Sequence, residues 1–243
     1  MSAADRAGNL DEATIVVADQ AEVTTAQPRP RTDGPANVRL VNSKRIKLDY
    51  KVEEVGRSGI SVVELWLTRD GRNWQKFSED RSAKSPYVID VPGEGLYGFT
   101  LVVQSGVGLS DSPPQVGDKP QVWVEVDLTK PDVRLKGIEV GRGYDAGNLT
   151  INWSASDKNL AERPIRLTYA EKPDDNNWKL IAENLENTGR YVWRMPVDVP
   201  YRFYVRVEAA DRAGNIGVAE TTQSIIVDLA KPKGIIVDVA PGQ

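Results

Sequence analysis

Two missing residue types limit the catalytic and metal-binding chemistry that this chain can perform. Its 243 residues include no His and no Cys. Histidine is the side chain that titrates near neutral pH and the commonest general base, so Ser-His-Asp triads and the usual zinc centres are excluded. The lack of Cys removes disulfides, thiol nucleophiles and thiolate metal sites. Catalysis would therefore have to use carboxylates, Lys, Tyr or Ser.

Adjacent carboxylates are the remaining candidates for catalysis, because glycosidases use a pair of carboxyl groups. They occur as Glu53-Glu54, Glu79-Asp80 and Asp174-Asp175. Each pair lies at a predicted strand end or turn, and the sequence offers no insertion that would build a water-excluding cleft around it. We expect solvated charge at these positions and therefore predict that the protein is not an enzyme.

Oxygen ligands for calcium are a second kind of site to consider, since Ca²⁺ binds six to eight oxygens. The candidates are Asp157, Asp174-Asp175, Asp211 and Asn215 or, alternatively, Asp127 and Asp132. None of them has the spacing of an EF-hand loop. Turn chemistry explains Asp211 and Asn215 without a metal, because Asp and Asn bond the local backbone and Gly takes a positive φ. We predict no cofactor, with structural calcium at Asp157, Asp211 and Asn215 as the alternative.

The sequence repeats itself at the spacing of a small domain. Ala-Ala-Asp-Arg-Ala-Gly-Asn begins at both Ala3 and Ala209, 206 residues apart. Val-Asp-Leu-Thr-Lys-Pro, ending at Pro131, matches Val-Asp-Leu-Ala-Lys-Pro, ending at Pro232, 101 residues later. A repeat of about 100 residues fits the usual size of a domain. The predicted divisions are a remnant of a preceding repeat at 1–20, a linker at 21–35, domains at 36–130 and 131–233, and a tail or the start of a further repeat at 234–243.

Within each domain the apolar residues alternate at the two-residue period of β-strands, and no segment of 11 or more residues has an apolar stripe of helical period. Gly and Pro separate the alternating segments at strand spacing. Strands are predicted at 38–41, 46–52, 63–67, 74–77, 87–91, 97–103 and 121–128, and again at 133–135, 149–155, 165–170, 178–182, 191–195, 201–209 and 222–229. The sequence thus predicts an all-β fold of two tandem seven-stranded antiparallel β-sandwiches.

Three stretches carry a resemblance to known modules. Leu149–Asp157 resembles the second strand of fibronectin type III and bacterial immunoglobulin-like modules, which often have a buried Trp at the position of Trp153. Tyr201–Asn215 is similar to the penultimate strand and hairpin of bacterial immunoglobulin-like repeats, and Val126–Pro131 resembles the joint between two such repeats. The first domain departs from the pattern, with Tyr50 at the place of Trp153. The resemblance implies the sandwich fold but not a particular function.

Strand parity places two tryptophans on the outside of the first domain. In the strands at 63–67 and 122–126 the alternating aliphatic residues face inward, which leaves Trp66 and Trp123 facing outward. Val102 faces outward from the strand between them. These three are the candidate ligand-binding residues, for a glycan or a protein, because aromatic side chains supply large contact areas. The alternative is that the N-terminal segment, a long loop or the neighbouring domain covers Trp66 and Trp123.

Charge and hydropathy narrow the range of partners. The formal net charge of −4 offers no basic field for nucleic acid, and no apolar run reaches the roughly 18 residues of a membrane-spanning helix. Short Lys-Pro joints between sandwiches predict a non-catalytic spacer whose partners are adjacent repeats. The tryptophans of the first domain favour the alternative, an adhesion module for a glycan or surface protein. The resemblance implies a larger bacterial protein that is secreted, periplasmic or on the cell surface.

Overall fold

A computed structural model of the chain describes residues 37–53, 55–174, 177–229, 233–239 and 241–242. The predicted remnant at 1–20 and linker at 21–35 lie outside these ranges, as do Glu54 and Asp175 of the candidate carboxylate pairs. The regular structure of the described ranges consists of 15 strands and one 3₁₀ turn at Gly143–Asp145. No helix there is long and apolar enough to cross a membrane. The all-β prediction is confirmed.

The first sandwich contains seven strands: β1 (Val38–Val41), β2 (Arg45–Leu48), β3 (Ile60–Thr68), β4 (Trp74–Asp80), β5 (Tyr87–Asp90), β6 (Gly95–Ser105) and β7 (Val122–Val126). Five of them form a sheet in the order β1-β7-β6-β3-β4, and β2 pairs with β5 in the opposing sheet. β1 runs parallel to β7 and is the exception to antiparallel pairing. The inward residues of both sheets form one core, which includes Val63, Leu65 and Phe99.

The second sandwich contains eight strand segments: β8 (Asp132–Val140), β9 (Asn148–Ser156), β10 (Leu160–Ala170), β11 (Lys179–Leu185), β12 (Arg190–Arg194), β13 (Arg202–Asp211), β14 (Ile216–Glu220) and β15 (Ile225–Ile226). One sheet has the order β11-β10-β13-β14, with β15 also paired to β13, and the opposing sheet has the order β12-β9-β8. Its core is separate from that of the first sandwich and includes Ile151, Trp193 and Phe203.

The buried tryptophan implied by the resemblance is present in the second sandwich. Trp153 on β9 is 4% exposed. Its Nε1 donates to Oδ1 of Asn187 at 3.0 Å, so the exposed Asn187 satisfies the polar end of the buried indole at the margin of the core. Tyr50, at the equivalent place in the first sandwich, lies beyond Leu48, where β2 ends. The observed strand β2 is therefore shorter than the strand that the alternating pattern predicted at 46–52.

The final strand of the second sandwich also differs from the prediction of a single strand at 222–229. It begins six residues earlier, at Ile216, and it is interrupted before β15. At the interruption, the N–H of Thr221 donates to the carbonyl of Val205 at 3.0 Å, and Oγ1 of Thr221 accepts from the N–H of Val205 at 3.1 Å. The hydroxyl thus replaces a backbone acceptor, which shifts the ladder as a bulge does. This interruption gives eight segments instead of seven.

Candidate functional site

The outer face of the five-stranded sheet carries the predicted residues Trp66, Val102 and Trp123. The predicted parity is correct, since Val63, Leu65 and Leu67 are in the core and Trp66 is half-buried on the opposite face. Val102, however, is only 5% exposed, so its predicted exposure is wrong. The three residues also occupy different rows of the sheet, because their partners on the neighbouring strand are Thr100, Glu64 and Gly98, respectively.

The segment between β6 and β7 explains the burial of Val102. It lies over β6, where Pro120 approaches Gly98 so closely that a Cβ atom there would be 2.5 Å from Cγ of Pro120. Farther along, the same segment lines a small cavity of about 320 Å³ together with Val102. A long loop therefore covers the part of the face that carries Val102.

Both tryptophans have packing or hydrogen-bonding partners within the chain. The indole of Trp123 lies beside Gly71 at the tip of the β3–β4 hairpin, where a Cβ atom would be in van der Waals contact with Cζ2, at 3.5 Å. The indole Nε1 of Trp66 donates to Oε2 of Glu64 at 3.1 Å. Lys76 donates to the same carboxylate at 2.7 Å, and this bond, aided by Trp66, lowers the pKa of Glu64 below its ordinary value.

A second candidate site lies where the two sandwiches meet. Asp127 follows β7 directly, whereas Asp157 lies between β9 and β10 and Asp211 ends β13. One carboxylate oxygen from each lies within 4.8 Å of the other two. Asp127 and Asp211 are 8% and 5% exposed. The structure thus combines members of the two sets of metal ligands that the sequence left as alternatives.

The other residues of those two sets lie elsewhere. Asp132 is exposed, and its carboxylate pairs with the guanidinium of Arg134 at 2.9 Å. Asp174 is exposed on the turn that follows β10, outside the cluster. Asn215 lies at the cluster, where its amide Nδ2 donates to Oδ2 of Asp211 at 2.7 Å. In this arrangement Asn215 supplies a hydrogen-bond donor, and Asp127 supplies the third carboxylate.

The turn that holds Asn215 forms from its own sequence, Asp-Arg-Ala-Gly-Asn. Oδ1 of Asp211 accepts the backbone N–H groups of Gly214 at 2.7 Å and Asn215 at 2.8 Å. Gly214 has a φ of 96°, a left-handed conformation that costs glycine little and other residues much more. The backbone N–H of Asp211 also bonds the carbonyl of Asn215 at 3.0 Å. This recurring peptide therefore builds a closed hairpin end that presents the amide of Asn215.

Hydrogen bonds from this hairpin and its neighbouring turn reach Asp127. Nδ2 of Asn215 donates to the backbone carbonyl of Asp127 at 2.9 Å, and both residues are buried. Nδ2 of Asn159 donates to Oδ2 of Asp127 at 2.6 Å. An ion pair joins Lys158 to Glu125 on β7. Asp127 is in turn tied to the first sandwich, because its N–H donates to the carbonyl of Val41 at 3.0 Å.

Two of the three carboxylates, Asp127 and Asp157, line a groove of about 610 Å³ between the sandwiches. Three carboxylates at this distance repel one another in a partly buried setting, and a divalent cation would relieve that repulsion. A divalent cation at this point would find hard oxygen ligands in Asp127, Asp157 and Asp211. An ionised carboxylate has about four acceptor sites, so the hydrogen bonds above leave some free.

The candidate catalytic carboxylates are engaged in surface interactions. Lys76 and Arg81 donate to Glu79 at 2.8 and 3.1 Å, and they lower the pKa of Glu79 below its ordinary value. The hydroxyl of Ser82 donates to Asp80 at 2.8 Å and lowers the pKa of Asp80 in the same way. A general acid of a glycosidase needs the opposite shift, towards neutral pH.

The chain is similar in part to several known proteins. No family model matches the chain. A mouse protein, usherin, is 30% identical over 109 residues, which are 41% of this chain and 2% of usherin's length. Among solved structures, fibronectin(III)-like modules of Clostridium thermocellum CbhA align with a TM-score of 0.48 and 18% identity, covering 82% of this chain and 95% of theirs. The FN1-FN3 domains of chicken CNTN1 align with a TM-score of 0.40 and 13% identity, covering 79% of this chain and 65% of theirs. The fold, two tandem sandwiches of immunoglobulin-like and fibronectin type III-like type, follows from the strand order described above.

Replacing both outward tryptophans of the first sandwich should cost stability. In Trp66→Ala/Trp123→Ala we expect a loss of about 1–3 kcal/mol in the free energy of unfolding, because each indole is half-buried and loses only part of its packing. Urea unfolding followed by circular dichroism measures this loss. Trp153→Ala is the buried control and should lose about 3–5 kcal/mol. A double variant as stable as the parent would show that the outer indoles carry no packing energy.

Removing the amide of Asn215 should weaken the joint and the hairpin together. Asn215→Ala leaves the carbonyl of Asp127 and one oxygen of Asp211 without their donor, which should cost about 1–3 kcal/mol of unfolding free energy. Chemical denaturation measures the change, with exposed Gln223→Ala as the control, for which no more than about 0.5 kcal/mol is expected. Equal stability of the two variants would contradict a structural role for Asn215.

Proposed function

We propose that this chain is a non-catalytic spacer segment of a larger bacterial protein that is exported or held at the cell surface. In this role its two sandwiches act as one stiff unit that keeps other parts of the protein apart. The partners of such a segment are the repeats on either side of it. The proposed location outside the cytoplasm rests on the sequence resemblance to bacterial immunoglobulin-like repeats.

The observation that carries this proposal is the hydrogen-bonded joint. A flexible linker leaves two domains free to reorient, and inter-domain motion is the default unless the contact is extensive or specific. Here Asp127 is bonded to Val41 on one side and to Asn159 and Asn215 on the other. Because the bonds to Asn215 are buried, breaking them would leave polar groups unsatisfied. This supports a fixed angle between the sandwiches.

The outer face of the first sandwich gives weaker support to the alternative role, in which the chain binds a glycan or surface protein. An adhesive surface needs aromatic side chains that a ligand can reach. Val102 is buried, and Trp123 is half-buried beside Gly71. The second sandwich has charged residues at the equivalent positions of its own outer face. There Arg206 lies 3.8 Å from the centre of the Trp178 ring and donates to Glu220. We therefore favour the spacer.

The three carboxylates of the joint support a narrower proposal, that calcium binds there and stiffens the segment further. Asp127, Asp157 and Asp211 come from both sandwiches, so a cation held by all three would add a cross-link between them. Oxygen ligands of this type match calcium better than softer metals. The spacer role does not depend on this cation, because the hydrogen bonds of Asn159 and Asn215 join the sandwiches without it.

The stiffness of the joint can be measured by pulsed electron spin resonance. The chain has no Cys, so spin labels can be placed on introduced cysteines alone. We choose Gln75→Cys in the first sandwich and Lys179→Cys in the second, both exposed. A stiff joint predicts one narrow distance distribution, which Asn215→Ala should broaden and Gln223→Ala should leave unchanged. A broad distribution in the doubly labelled parent would contradict the spacer proposal.

Calcium binding is tested by thermal unfolding with and without the metal. Ca²⁺ should raise Tm, and chelation by EDTA should reverse the rise, because a ligand that binds only the folded state stabilises it, by about 2.7 kcal/mol at 100 times its Kd. Asp157→Asn should reduce the effect, whereas Asp174→Asn, on an exposed turn outside the cluster, should not. A Tm unmoved by Ca²⁺ and by EDTA would exclude a calcium site at the joint.

A further inference from the structure

The three-stranded sheet of the second sandwich has a polar outer face. On its central strand, β9, the side chains of Leu149, Ile151 and Trp153 lie in the core, so the alternate residues point outward. The outward residues are short, polar and half-buried, and they are Asn148, Thr150, Asn152 and Ser154. Short side chains on a central strand form the floor of a shallow trough where the side chains of both neighbouring strands are longer.

Long cationic side chains flank this floor on both neighbouring strands. Arg190 and Arg194 on β12 are exposed and lie directly opposite two of the floor residues. On the other side of β9, strand β8 contributes Arg134 and Lys136, which are also exposed. The two flanking strands are about 10 Å apart, since each lies one strand spacing from β9. We call the four floor residues and these four cations the basic trough.

The two arginines of β12 form no ion pair with the carboxylates of the described residues. The centre of the opposing sheet differs, because its outward arginines are paired there. Arg206 lies 2.7 Å from Glu220, and Arg166 lies 3.7 Å from Glu208. The guanidinium groups of β12 therefore keep N–H donors that can bind an anion from outside, in the bidentate geometry that suits a carboxylate.

Two carboxylates lie on the same face, and both have partners on or beside their own strand, β8. Asp132 pairs with Arg134 at 2.9 Å, and Glu139 accepts Nδ2 of Asn152 at 3.3 Å. Strand β8 is about 10 Å across the sheet from β12. The β12 side of the basic trough is therefore a local positive surface on a chain whose formal net charge is −4.

The chemistry of the basic trough fits a linear acidic polysaccharide. Arg190 and Arg194 are about 13 Å apart along their strand, so they can bind separate carboxylates of one extended chain. The hydroxyl and amide groups of the floor can both donate to and accept from sugar hydroxyls. Single-stranded nucleic acid fits less well, because it is bound by stacking on aromatic side chains, and the outward positions of β8, β9 and β12 have none.

We propose that the basic trough binds an acidic polysaccharide whose sugar units carry carboxylates. The polysaccharide lies along β9, where Arg190 and Arg194 bind its carboxylates and Thr150, in the row between them, bonds its hydroxyls. Val192 lies opposite Thr150 and is 48% exposed, so it offers the sugar an apolar contact. This inference goes beyond the proposed spacer role and does not depend on the stiffness of the joint between the sandwiches.

Isothermal titration calorimetry of the whole chain with polygalacturonate tests the proposal, with uncharged dextran as the control that should not bind. Arg190→Gln/Arg194→Gln should weaken binding to polygalacturonate at least about tenfold, because it removes both charged donors of β12. Arg163→Gln/Arg166→Gln removes the same charge from two exposed residues of β10, in the opposing sheet. This matched control should change the affinity less than about twofold, since solvent and salt screen charges on the far face.

A floor variant separates recognition of sugar from attraction between charges. Thr150→Val keeps the strand preference but removes a hydroxyl, so it should weaken binding to polygalacturonate about threefold and leave binding to polyglutamate unchanged. The inference is overturned if polygalacturonate does not bind, or if the two double variants bind it alike. It is also overturned if polyglutamate or single-stranded DNA binds as tightly as polygalacturonate, because charge alone would then explain the binding. Spin-label distances across the joint remain the separate test of the spacer role.

Discussion

The structure at the joint depends on a buried side-chain amide that bonds groups belonging to two different sandwiches. Nδ2 of Asn215 donates both to Asp211 in its own hairpin and to the carbonyl of Asp127, which follows the last strand of the preceding sandwich. Buried polar groups are expensive to leave unpaired, so the hairpin and the joint stabilise each other. This coupling supports the proposal that the second sandwich has a fixed orientation on the first.

This arrangement gives a physical meaning to the recurring Ala-Ala-Asp-Arg-Ala-Gly-Asn peptide. Its Asp closes the turn, its Gly provides the left-handed residue, and its Asn reaches back to the preceding joint. The first sandwich has Ser105–Leu109 at the equivalent place, where Oγ of Ser105 accepts the N–H of Leu109 at 3.0 Å. A turn can therefore be closed by other residues. In the copy of the peptide that the structure describes, Asn215 adds the bond between modules.

The local features of the fold could be predicted from the sequence, and the long-range ones could not. Alternation at a period of two identified the core faces of β3 and β7, because each residue's face follows from its place along the strand. The burial of Val102 depends on a loop that crosses its own strand, and alternation carries no information about such a loop. Asp127 and Asn215 are 88 residues apart, and neither their spacing nor their chemistry indicates the contact. The break at Thr221 arises from a side-chain hydroxyl that replaces a backbone group, which propensity does not register.

The claim that one stiff joint holds the sandwiches is tested most directly by residual dipolar couplings measured on the whole chain in a dilute aligning medium. Couplings from the two sandwiches are fitted separately, each to its own coordinates. A fixed joint predicts alignment tensors of equal magnitude and rhombicity, with axes that coincide in the frame of this structure. Tensors that differ clearly in magnitude would show that the two sandwiches reorient independently, and the account would be wrong.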